Sequence, residues 1–110
     1  MKVSQTEKCT LIVDDQSDLV SFLMKLTHEF KTFDKQNIVV DLTLYNSLAV
    51  KQINGFLKLS DIHKKNKKSF VVVAKNVNFT AISEKLTVVP TIQEAHDMIE
   101  MEEIERDLGF

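Results

Sequence analysis

"NIVVDL", residues 37–42, is a short unbroken run of mostly β-branched and aliphatic side chains with no helical period. Such a run suits a strand covered on both faces, which is the position of an inner strand in a parallel sheet. "SFVVVA" (69–74) repeats the pattern, and "LTVVP" (86–90) ends a third short run on a proline. Between the first two lies a stretch with helical spacing, from about Ala49 to Lys65, whose predicted inner face is Ile53, Phe56, Leu57 and Ser60. Buried strands joined by helices predict a mostly parallel sheet.

Upstream, Leu19, Phe22, Leu23, Leu26, Phe30 and Phe33 recur on one helical face. Asp14, Asp15 and Ser17 precede it as predicted capping residues. Before them, "MKVSQTE" and "CTLIVDD" read as two strands around a turn at Glu7-Lys8. Downstream, "FTAIS" (79–83) suggests a short helix. Thr91 and Glu94 form a capping-box pattern at the start of a last helix carrying Ile92, Ala95, Met98 and Ile99. The predicted order is β-β-α-β-α-β-(α)-β-α: an α/β fold with a mixed, mostly parallel five-stranded sheet, an N-terminal hairpin and about four helices.

The chain has 110 residues, of which 27% are charged, with only two Gly and one Pro. That size fits one domain with its own core, and the scarcity of turn residues disfavours an all-β fold. No linker or internal repeat divides it. The one cysteine, Cys9, excludes an internal disulfide and reads as a small buried hydrophobe. The N-terminus has no apolar signal segment and no run approaches membrane-spanning length, so the expectation is a soluble, cytoplasmic protein. A net charge of −2 does not suggest bulk nucleic-acid binding. The charge is uneven, with a basic "KKNKK" (64–68) and an acidic "EMEEIERD" (100–107). No aromatics interleave the lysines, which suit the last turn of a helix with Asn66 as a left-handed C-cap.

"LIVDDQSDLVSFLMKL" (11–26) is similar to the first strand and helix of a response-regulator receiver. Asp14 and Asp15 would then hold magnesium and Asp41 would accept the phosphoryl group. The spacing opposes this, because a receiver needs helix, strand and helix between those positions and only one helix fits here. His28, His63 and His96 fall on three separate predicted helices without metal-ligand spacing, and read as surface or boundary residues. The two glycines, Gly55 and Gly109, form no phosphate loop, and there is no GxSxG nucleophile elbow. The residues thus point to no catalytic group, metal or cofactor.

The element order, with "NIVVDL", "QINGFLKLSDIHKKNKKSFVVVA" and "LTVVPTIQEAHDMI", resembles a STAS domain, the module named for sulfate transporters and anti-sigma factor antagonists. The resemblance implies a regulatory protein-interaction domain, with nucleotide or lipid binding as a further possibility in such folds. It also implies a phosphorylated serine at the helix start after "DL". Counting on from Asp41-Leu42, that motif falls on Ala49-Val50-Lys51-Gln52, which has neither hydroxyl nor glycine. Ser47 is the nearest hydroxyl and reads as an N-cap rather than a phosphorylation site. Small STAS-like proteins with an ending similar to "IEMEEIERDLGF" (99–110) are sometimes labelled ribonuclease Z. That hydrolase needs an HxHxDH cluster, which this sequence lacks.

The expectation is therefore a non-catalytic STAS-like interaction domain, with a receiver-like phosphoacceptor or a small-ligand module as alternatives. Two surfaces are candidates for a protein partner. One is the helix-start edge with Ser47, Lys51 and Gln52. The other is the acidic extension 101–110, where Met101, Ile104 and Leu108 continue a helical stripe past the core-facing residues and could meet a partner or a second copy.

Overall fold

The computed structural model describes residues 1–6 and 8–109. The Glu7 half of the expected turn and the terminal Phe110 lie outside the described residues. β1 (Lys2–Gln5) pairs antiparallel with β2 (Cys9–Val13), giving the hairpin. β3 (Asn37–Asp41), β4 (Phe70–Val73) and β5 (Thr87–Val89) then add in sequence order, each parallel to the strand before. β3 and β4 are buried along their whole length, as inner strands of a covered sheet must be.

Alternation along the strands sorts side chains to two faces. Ile12, Ile38, Val40, Phe70 and Val72 point to one face. There they meet α1 (Leu19–Glu29), the 3-10 turn Phe30–Phe33, and the pair α2 (Val50–Asn54) and α3 (Leu57–Lys65). Cys9, Val39, Val71, Val73 and Val89 point to the other face, where Ala95 and Ile99 of α4 (Ile92–Asp107) cover them.

Several local expectations change. The helix expected over 49–65 breaks at Gly55-Phe56 into α2 and α3. A Cβ at Gly55 would lie 3.2 Å from the Gln52 carbonyl oxygen and 3.3 Å from a Leu23 methyl, so the break lets this turn approach α1 closely. Within the pair, Leu57 is only half-buried, while Ile53, Phe56 and Ser60 are buried. The N-cap of α1 is Asp18, whose carboxylate accepts from the Ser21 amide, not Asp14, Asp15 or Ser17. The N-cap of α2 is Ala49, with the Gln52 side chain accepting from its amide at 2.9 Å. Ser47 lies two residues earlier and is exposed, so the cap assigned to it is corrected. After α3 the left-handed residue is Lys67 (φ 63°), not Asn66. The helix expected over 79–83 is a single 3-10 turn, Phe79–Ala81. Thr91 caps α4 as expected, accepting from the Glu94 amide at 3.1 Å.

Candidate functional site

In open α/β sheets the usual ligand position lies beyond the carboxyl ends of the strands. Parallel pairing of β2 and β3 brings Asp14 and Asp41 together there, with the Asp14 amide donating to the Asp41 carbonyl at 3.2 Å. Their carboxylates are engaged separately. Asp41 accepts from the Thr43 amide and hydroxyl at 2.9 and 2.7 Å. Asp14 accepts from the Gln16 amide and in a short hydrogen bond from the Tyr45 hydroxyl. Burial, and then the Asp14 carboxylate, push the Tyr45 phenol well above its usual range. Asp15 binds the Met1 amino group at 2.8 Å, and that hydrogen bond lowers its pKa. Beside these groups a groove of about 400 Å³ runs past Met1, Asp14, Asp18, Phe22 and Lys25. Among the described residues no three His, Cys, Asp or Glu side chains converge on a point that could hold a metal.

The opposite end of the sheet is basic. Lys64, Lys67, Lys68 and Arg106 line a cleft of about 480 Å³ together with Glu102 and Glu105. Here a polar chain ties the strands to α4. Asn37 donates to the Lys8 carbonyl and accepts from the Ser69 amide. The fully buried Ser69 hydroxyl donates to Glu102 at 2.5 Å and accepts from Arg106 at 3.2 Å. The cations of this cleft are thus partly matched by the α4 carboxylates Glu102 and Glu105.

Two titratable groups are buried away from these clefts. His63 was expected at the surface or its boundary, but it is fully buried. Its ring lies edge-on to Phe30, with centroids 5.3 Å apart. Its Nε2 contacts the Gln36 carbonyl, so that nitrogen carries the proton, and Nδ1 has no hydrogen-bond partner among the described residues. Burial lowers its pKa. Cys9 is buried as expected, but it is not without a nearby base: His96 Nδ1 stands 4.0 Å from Sγ. Cys9 and His96 are 87 residues apart in sequence, and only the return of α4 across the second face brings them together. With the thiol 2% exposed beneath α4, the pair packs a helix rather than presenting a nucleophile.

The proposed partner surfaces fall far apart. Ser47, Lys51 and Gln52 are exposed at the start of α2, but that helix has five residues and Gln52 is occupied in capping it. Met101, Ile104 and Leu108 are 56%, 59% and 66% exposed, on the side of α4 turned away from Ala95 and Ile99. α4 runs unbroken to Asp107, held on its inner side by Glu102 and Arg106 and near its middle by the Lys8–Glu100 ion pair at 2.9 Å. The hydrogen bond from Lys8 keeps the Glu100 carboxyl below its usual pKa. The extension is therefore helical through Asp107 and fixed to the sheet.

Sequence reasoning missed a third surface. On the first face, Leu23, Phe30, Leu59 and Ile62 line an apolar groove of about 250 Å³ between α1 and α3, with Lys31 and Lys58 on its rims. Val20 and Met24 stand exposed beside it at 70% and 68%. The sequence showed only part of it: Val20 and Met24 lie one helical turn apart on the side of α1 that the core does not use, but the groove itself forms between two helices. No family model matches the chain, and no curated protein matches it either. No helix among the described residues is long and apolar enough to cross a membrane.

Proposed function

We propose that the chain is a non-catalytic, STAS-like domain that regulates by binding a protein through the outer face of α4. One observation carries the reading: three large apolar side chains stand in solvent on a helix whose inner side is tied to the sheet. Stability does not explain them, because carboxylates crowd the C-terminal half of α4 and oppose the helix dipole. A fixed helix with an apolar stripe needs little ordering on binding, which favours docking. The hairpin followed by alternating helices and parallel strands agrees with the element order on which the resemblance rests. The α2 edge is the weaker of the two surfaces, since its cap is satisfied internally. Ser47 is not part of a switch in this reading.

Partner capture from the native cell with mass spectrometry tests the proposal. Wild type should retain a partner that a Met101→Gln, Ile104→Gln, Leu108→Gln variant loses while melting normally. Equal capture by both would contradict it. A receiver-like reading draws on the adjacent ends of β2 and β3, where Asp14 and Asp41 meet. Acetyl-phosphate labelling of Asp41, read by intact mass, would favour that reading instead.

A further inference from the structure

α4 carries seven carboxylates and one arginine; Glu100 pairs with Lys8 and Glu102 turns inward to Ser69, while Asp97, Glu105 and Asp107 are exposed near the stripe Met101, Ile104 and Leu108. The groove on the other side of the sheet belongs to α1, the following 3-10 turn and α3. Of the five lysines on those three segments, Lys25 and Lys64 face other clefts, and Lys31 and Lys58 belong to the groove itself. Lys31 and Lys58 stand on the rims of the groove, and Ile62, at its edge, is 42% exposed. The chain thus presents an acidic apolar ridge on one face and a basic apolar groove on the opposite face.

We propose that the partner of α4 is a second copy of this chain, with the Met101–Ile104–Leu108 ridge of one copy seated in the α1–α3 groove of the next. The inference rests on the reading of α4 as the docking surface and adds its occupant. Charge selects the arrangement. Two α4 helices face to face would bring the exposed carboxylates of one against those of the other, whereas ridge and groove bring opposite signs together. The apolar contacts then supply attraction that salt does not screen. Because the two surfaces lie on opposite faces of the sheet, a copy that uses its ridge still offers its groove. The contact is heterologous, and assembly proceeds as a head-to-tail series rather than stopping at a two-fold dimer.

Sedimentation velocity on the full chain tests this with two single variants. Ile104→Lys spoils the ridge and Ile62→Glu spoils the groove, each by setting a charge against its own sign. Both sites are exposed, so native melting of each variant is the accompanying control. Wild type should associate progressively with concentration up to about 1 mM, and less at about 500 mM salt than at about 50 mM. Each variant alone should lose association by roughly tenfold or more, since a charge would have to leave water beside like charge. Mixed one to one, the two variants should recover a dimer that grows no further, because each keeps the surface the other lacks. If Ile62→Glu alone still forms dimers and the mixture gains nothing, the contact is α4 on α4 and the proposal fails. If wild type stays monomeric throughout, the second copy is not the partner. In that case, a cellular partner lost only with the α4 triple variant would leave the docking reading standing.

Discussion

Five phenylalanines (Phe22, Phe30, Phe33, Phe56 and Phe70) fill the side of the sheet beneath α1–α3. The side beneath α4 is built instead from valines, Cys9, Ala95 and Ile99. The first layer buries aromatic area, with Phe22 and Phe56 rings 6.3 Å apart and Phe30 and Phe70 6.2 Å apart. The second is thin, and its helix is fixed as much by the polar tie at Ser69 as by packing. One face therefore carries most of the stability. The other holds a helix in place and leaves Met101, Ile104 and Leu108 on its outer side in solvent.

Substitutions should separate the two layers. Phe56→Ala should destabilise most, by about 3–5 kcal/mol, in urea unfolding. Ile99→Ala should cost less, about 2–3 kcal/mol, because Ile99 is smaller and its neighbours are smaller. A larger loss from Ile99 than from Phe56 would reverse the assignment of the main core. Ser69→Ala should cost about 1–3 kcal/mol by leaving Glu102 and Arg106 without their shared hydroxyl. Removing residues 101–110 should leave a folded domain with similar loss of stability and with weakened association. An unfolded truncation would place the tail in the core.

His63 gives the aromatic layer a pH signature. Its folded pKa lies below its unfolded value of about 6.5, so the unfolded chain takes up a proton first as pH falls. Its contribution is complete above about pH 6.5 and is lost as pH falls toward the folded pKa. The stability difference between His63→Phe and wild type should shift in favour of the variant between pH 7.5 and 5.5 (about two units, spanning that window). A difference independent of pH would show that His63 does not resist protonation in the fold.

The inner strands were legible because full burial on both faces leaves a plain mark: "NIVVDL" and "SFVVVA" admit few other readings. The start of α4 was legible because Thr91 and Glu94 hold a local pattern. The caps of α1 and α2 were not. Several oxygens precede α1, and tertiary contacts decide which one caps, since Asp14 is drawn to Tyr45 and Asp15 to the Met1 amino group; at α2 no preceding oxygen caps, and Gln52 reaches back to the Ala49 amide instead. His63 was misplaced because its partners, Gln36, Phe30 and Phe70, come from other elements. The α4 stripe was visible in its spacing, but the groove was not, since it needs Gly55 to bring α1 and α3 together. The smallest expected effect lies at the α2 edge. Lys51→Glu should move stability by less than about 0.5 kcal/mol. A clear loss of association from that variant would extend the docking surface beyond α4.

Hydrogen exchange followed across the concentration range of association tests the central claim most directly. Amides in the last turns of α4 and those of α1 and α3 beside the groove should gain protection together as concentration rises. The five-residue α2 should stay unchanged. Protection gained in α4 without a matching gain in α1 and α3, or no gain in either, would contradict the ridge-in-groove account.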